Sequence, residues 1–401
     1  MIKKILKLTA RLLVIVVALF SIYLANLFLM KPYSIDHYLG KELVLGLVDS
    51  PEALTYVGIL DRFNWLTKHN SRLSIPEEND LEEGIKELEK GIKTLYKYKD
   101  SSLTDVQKVT KKIAIFDLEN NLKELKEFPY LDYPLNQIGG IHLNTIEFMS
   151  DMHPVRTKSE ANDFIKRVEL IRDVYEGTLK DLEKQANSGI YPPEFVYGHV
   201  INQLNDFINY SFEEHPLYTQ FMMKVKELNI TDKELDDFDK RIKKAIEDSV
   251  TPGFKLLLGF MERTKKNANK NHGIWSQPGG DDYYKLRIRT YTTTDYTPEF
   301  IHQTGLSEVE RITNRMREIL TSLGYDTSKS VGQLMNELNE NPDFLYADTP
   351  DRKEIIVNDY TEMVNEAIEV MTEYFHTMPK SDVVVKAVPE YSEQTAAGGY
   401  Y

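Results

Sequence analysis

The chain has 401 residues, and its 49 Lys plus Arg stand against 63 Asp plus Glu for a formal net charge of -14 at neutral pH. That balance repels phosphate backbones and excludes nucleic acid as the main partner. Cysteine is absent, which removes disulfides, thiolate nucleophiles, iron–sulfur clusters and Cys-based zinc sites.

Lys3, Lys4, Lys7 and Arg11 precede an uncharged stretch from Leu12 to Met30, close to the ~20 residues a helix needs to cross a bilayer. Residues 1–31 therefore read as a signal anchor that meets the lipid bilayer through residues 12–30, with residues 32–401 as the main domain. Basic residues on one flank place the N-terminus in the cytoplasm and the domain outside it, periplasmic or extracellular, as a single-pass protein. The alternative is export after signal cleavage. A cleaved signal has a shorter apolar core and a small-x-small site, whereas Ala18, Ser21 and Ala25 are bracketed by large residues.

Beyond the anchor the helical period dominates. Residues 76–90 form a charge-rich helix face, and Thr104 with Gln107 makes a capping box before a stripe of Val106, Val109, Ile113 and Phe116 expected to face inward. Phe164, Val168, Ile171, Tyr175, Leu179 and Leu182 recur every three or four residues up to Ser188-Gly189. Further helices open at Pro192-Pro193, at Pro216 with a capping role for the preceding Glu-Glu-His, after Thr231, after Ser307 up to Gly324, and at Ser330. A last long helix after Thr349-Pro350 is expected to carry Ile356, Tyr360, Met363, Ala367, Met371 and Tyr374 inward. Strand signals are few. Asp382 to Val388 is a short β-branched run, and Leu286, Ile288 and Thr290 alternate with basic residues, although that segment equally suits a helix end. The expected fold is mainly α, with a small β element near residues 382–401.

Chemical motifs are sparse. No two of the nine histidines are spaced for His-Glu-x-x-His. Two Glu-x-x-His pairs, Glu299 with His302 and Glu373 with His376, have the spacing used in di-metal helical bundles; at this glutamate content, about one such pair arises by chance. Phosphate-binding loops and serine-hydrolase elbows are missing.

The most unusual stretch runs from Gly273 to Glu310, where Trp275, Pro278-Gly279-Gly280, Tyr283-Tyr284, Arg289 and Thr292 to Thr294 are followed by Thr297-Pro-Glu-Phe-Ile-His302, Gly305-Leu306 and Glu308-Val309. This order, together with Ser50-Pro51-Glu52 and the Val388 to Tyr401 segment, resembles the family catalogued as domain of unknown function 885. The resemblance implies a bacterial, helical protein like the helical part of gluzincin metallopeptidases, whose zinc motif of the His-Glu-x-x-Pro-Gly-His type follows the Tyr-Tyr segment that here closes the chain. No metal ligand or catalytic residue therefore carries over, no cofactor is expected in this chain, and zinc is expected only for a complete homologue. On this reading the chain is C-terminally truncated and is the substrate-cleft portion of a zinc-peptidase-like protein, inactive alone. Tyr283, Tyr284, Arg289, Tyr400 and Tyr401 are its cleft candidates, and residues 383–388 would offer a strand edge to an extended peptide substrate. The alternative is a membrane-anchored, non-catalytic helical binding or scaffold protein.

Overall fold

The computed structural model describes residues 2–388 and 399. The chain divides into two compact units, Met1–Asp295 and Tyr296–Tyr401. It is mainly helical, and no β-strand occurs among the described residues, where the only isolated bridge joins Pro193 and Asn269. Residues 382–388 pair with nothing as a strand, and most of the segment beyond them lies outside the described residues.

The first unit opens with α1 (Ile2–Leu29), whose stretch Arg11–Leu29 is long and apolar enough to span a membrane. Asn26 fastens its end to the body: its side-chain amide donates to the Lys31 carbonyl at 3.0 Å and its Oδ1 accepts from the Tyr33 amide at 2.9 Å. Then come α2 (Ile35–Asp49), α3 (Pro51–Val57) and α4 (Asn64–Thr67), with Ser34 and Ser50 as side-chain caps of α2 and α3. The pair α5 (Asp80–Tyr96) and α6 (Asp105–Glu127) packs on α2 through Ile35, Tyr38, Leu95 and Tyr98, and the Tyr98 hydroxyl donates to the Pro32 carbonyl at 2.8 Å. The Thr104–Gln107 capping box forms as its spacing predicts.

The centre of the unit is α8 (Lys158–Asn187), preceded by α7 (Ile141–Glu147) and a π-helical turn over Phe148–Met152. Phe164, Val168, Ile171 and Tyr175 are fully enclosed, by α10 (Pro216–Lys226), α11 (Asp232–Ala245) and α12 (Thr251–Thr264) among others, and α9 (Glu194–Asn209) packs on α12. Helix α10 begins at Pro216 with His215 as its cap, and Thr231 caps α11 with Glu234. A second π turn, Ile246–Val250, joins α11 to α12 without a break. Its Ser249 hydroxyl accepts from the Arg172 amide at 3.0 Å and donates to the Glu169 carbonyl at 2.9 Å, so it is stitched into the middle of α8.

Arg167 of α8 is fully buried, and among the described residues its hydrogen-bond partners are uncharged. It donates instead to the carbonyls of Arg72, Pro51 and His69 at 2.7, 3.2 and 2.7 Å and to the Thr55 hydroxyl at 2.8 Å. Burial lowers its pKa to about 10. The guanidinium thus ties the α3 region and the segment 69–72, which has little apolar surface to bury, to the central helix.

Helix α13 (Gly280–Thr292) closes this unit, so the segment with alternating Leu286, Ile288 and Thr290 is a helix and not a strand. The second unit contains α14 (Pro298–Ser322), α15 (Val331–Asn339) and α16 (Arg352–Met371). Its core is the small cluster of Leu320, Val331 and Leu334. Helix α14 starts at the Thr297 cap, well before Ser307, whose hydroxyl donates back to the Gln303 carbonyl from inside the helix. No residue of α16 is buried. Tyr360, Met363, Met371 and, just beyond it, Tyr374 are exposed where the sequence pattern predicts an inward face, and none of the described residues of the unit covers them.

Candidate functional site

Three elements of the first unit, α5, α6 and α13, frame a shallow cavity and the wall beside it. The cavity, about 270 Å³, is lined by Tyr96, Lys111, Lys112, Phe116 and Glu119 among others. Lys111 donates to the Tyr98 carbonyl at 2.7 Å and to Asp100 at 2.8 Å. The Tyr96 hydroxyl donates to Glu119 at 2.9 Å, and this contact raises the phenol's pKa.

The wall is α13, and its start is dictated by two glycines. Gly279 has φ of 73°, in the left-handed region, and a Cβ on Gly280 would stand 1.8 Å from the Ile274 carbonyl oxygen. The loop before it is fixed by Gln277, which donates to the Tyr133 hydroxyl at 2.9 Å and the Tyr191 carbonyl at 2.6 Å. From that start α13 docks on α6. Tyr283 packs on Phe128 and donates to Glu124 at 3.1 Å, and burial together with the Glu124 charge pushes its phenol pKa upward. Arg287 reaches the same carboxylate at 3.1 Å and donates to the Tyr291 hydroxyl at 2.6 Å. Arg289 donates to Asn120, pairs with Asp295, and lies over the Phe116 ring.

Of the residues singled out in the sequence, Tyr283 is a core residue, Tyr284 is exposed, and Arg289 stands beside the cavity through Phe116. Tyr284 and Arg289 are five residues apart, about 140° round the helix, and α13 does not bring them to one face. Tyr400 and Tyr401 lie outside the described residues. Glu124, Asn120 and Arg287 are the partners that sequence reasoning missed; the closely spaced Arg287 and Arg289 were the available signal. The stripe of Val106, Val109 and Ile113 is exposed, whereas Ala114, Ile115 and Leu118 of the same helix pack inward.

Among the described residues no group of three or more His, Asp or Glu side chains is gathered as a metal site, so the two Glu-x-x-His pairs are not assembled into one. The arrangement at α5, α6 and α13 can bind and orient through aromatic rings, two lysines and carboxylates.

These features define a class: an all-helical body on an apolar N-terminal helix, with an aromatic and charged wall on one side. The chain belongs to the family described as bacterial protein of unknown function, DUF885, whose sequence profile matches residues 51–401. It is similar to the crystal structure of a lipoprotein candidate from Colwellia psychrerythraea, at 25% identity and a TM-score of 0.78 over 90% of this chain and 64% of that one. A lipoprotein candidate of unknown function from Shewanella oneidensis shares the fold at 15% identity and a TM-score of 0.51, over 84% of this chain and 61% of that one. The chain thus spans less than two-thirds of the length of either structure. No curated protein matches it. The apolar helix and these relatives are features of a membrane-anchored or exported protein.

Proposed function

We propose that this chain is the substrate-cleft portion of a membrane-anchored, extracytoplasmic protein of the zinc-peptidase type, and that it is not a peptidase by itself. The observation that carries the reading is the wall: Gly279 and Gly280 start α13 at a fixed point, and Glu124 and Asn120 lock it against α6 beside a cavity lined with aromatic and charged groups. Such a surface holds an extended polar chain without transforming it. The peptidase part of the reading comes from the likeness to gluzincin helical bodies. In a complete protein a bound zinc ion would supply Lewis-acid chemistry toward a carbonyl and water. The described residues do not gather a donor set for that ion, and no step of hydrolysis is derived through them. The single-pass orientation, with the N-terminus in the cytoplasm, rests on Lys3, Lys4, Lys7 and Arg11 before the span.

The test is elemental analysis of the purified full chain combined with hydrolysis of an internally quenched peptide library. The expected result is substoichiometric zinc and no turnover. About one equivalent of zinc together with hydrolysis abolished by a chelator would sink the proposal.

A second reading, a non-catalytic binding or scaffold protein, is favoured by the apolar face of α16, which is exposed among the described residues. Binding of unrelated peptides that survives Phe116→Ala and Tyr284→Ala but is lost in Tyr360→Asp/Met363→Asp would select it.

A further inference from the structure

The apolar span and the folded body overlap in height, and this sets part of the body into the membrane surface. The inference rests on the reading of α1 as a bilayer span. The Tyr23 ring meets the His37 ring edge-on, 5.4 Å between centroids. Tyr23 lies six residues before the end of α1, about 9 Å below it at the helical rise of about 1.5 Å per residue. His37, at the start of α2, is therefore level with the outer third of the span. Lifting the span outward does not free it: Arg11 to Tyr23 covers only about 18 Å, against the ~30 Å of a hydrocarbon core.

Leu43 is six residues beyond His37. If α2 ran straight away from the bilayer, Leu43 would rise only about 9 Å and regain roughly the height of Leu29; any tilt leaves it lower. From this point α2 is apolar and uncovered: Leu43, Val44, Leu45 and Val48 are 67%, 57%, 39% and 45% exposed. A helix segment apolar on several sides normally has a cover. The joint is fixed, because Asn26 bonds to both Lys31 and Tyr33, Tyr98 bonds to Pro32, and Lys31 lies over the Tyr98 ring at 4.3 Å.

We propose that the second half of α2, Leu43 to Val48, lies in the interfacial layer of the same bilayer that α1 crosses, so that the body is seated on the membrane. Glu42 and Asp49 bracket this segment and stay among the headgroups. With a net charge of -14, adhesion comes from apolar insertion and not from attraction to anionic lipid.

The cysteine-free chain permits a direct test. Single cysteines replacing Val16 in the span, Val44 and Val48 in α2, and Lys233 on α11 are labelled with an environment-sensitive fluorophore. The full-length protein is then placed in phosphatidylcholine vesicles with or without 20% phosphatidylglycerol, containing lipids spin-labelled at the headgroup or deep in the acyl chain, the vesicle composition being a working choice at roughly physiological surface charge. The expected result is deep quenching at position 16, headgroup-level quenching of about two-fold or more at 44 and 48, none at 233, and no dependence on anionic lipid. If 16 is quenched while 44 and 48 behave like 233, the body stands off the bilayer and the inference fails although the anchor stands. Blue-shifted but unquenched labels at 44 and 48 mean that protein covers this face, which also overturns it. An unquenched label at 16 removes the anchor reading itself, and the inference with it.

Discussion

The Arg289 guanidinium lies over the Phe116 ring, 4.9 Å from its centroid, and so couples α13 to the cavity wall on α6. Arg289 is partly solvated, with a side chain 41% exposed, so the contact is worth about 0.5–1 kcal/mol. In a double-mutant cycle with Phe116→Leu and Arg289→Gln, followed by urea denaturation, a coupling of that size is expected. Strictly additive single losses would show that the stack contributes nothing.

Gly280 and Gly198 give opposite expectations for the same substitution. Gly280→Ala drives a methyl group into the Ile274 carbonyl and is expected to cost about 1–3 kcal/mol. A Cβ at Gly198, in α9, meets nothing within 4 Å, so Gly198→Ala should stabilise by about 0.5–1 kcal/mol. Thermal unfolding of the two variants side by side checks both; equal shifts would refute the steric argument.

Arg167 is expected to be among the most sensitive positions in the first unit. Arg167→Met removes four charge-assisted hydrogen bonds, to three carbonyls and the Thr55 hydroxyl, a kind worth about 1.5–3 kcal/mol each, although the Pro51 and His69 carbonyls and Thr55 keep other partners. Hydrogen exchange should show loss of protection over residues 51–72 before the rest of the unit. Uniform loss across the unit, or none, would contradict the role given to this side chain.

Acid lability follows from three buried histidines, of which His153 is held lowest, at a pKa of about 3, and the other two titrate within reach of mild acid. His142, which contacts Gln203 at 2.9 Å, and His215, whose ring accepts from the Leu217 amide, are both held by burial at a pKa of about 4. An unfolded histidine titrates near 6.5, so below that pH the unfolded chain binds more protons than the native one. The contribution of these groups is complete above about pH 6.5 and is lost as pH falls toward 4. The denaturation midpoint is expected to drop over this window, and His215→Asn, which keeps a cap acceptor, to flatten part of the drop. A midpoint unchanged from pH 7 to 4.5 would refute the assignment.

How far the structure was legible depended on how local its causes are. The caps at Thr104, Thr231 and Ser330 and the start at Pro216 involve residues within one turn, and they form as the sequence predicts. Ser307 matches the same capping pattern, but Thr297-Pro298 opens the helix earlier and leaves it inside. Leu286, Ile288 and Thr290 alternate like a strand, and the choice of helix is supported by Glu124 and Asn120, more than 150 residues away in the chain. Periodicity identified apolar faces on α6 and α16 but carries no information about whether a partner covers them. The resemblance carried by Gly273 to Glu310 gave the family; what that stretch does locally, a glycine-gated start and a helix locked onto α6, depends on contacts a single sequence does not display.

The π turn at Ile246–Val250 has a consequence for how this protein tolerates change. It holds a surplus residue between α11 and α12, and both helices turn buried faces, Phe238 and Ile242 on one side and Phe254, Leu257 and Met261 on the other, toward the core. Deleting one residue there would let the rod close into a regular helix with Phe254 and the residues after it kept on the same face, because the π turn absorbs the extra residue locally; the cost would fall on the Ser249 bonds to Arg172 and Glu169. Length is therefore more forgiving in this turn than on either side of it, since a one-residue gap inside α11 or α12 would turn the buried face beyond it about 100° away from the core.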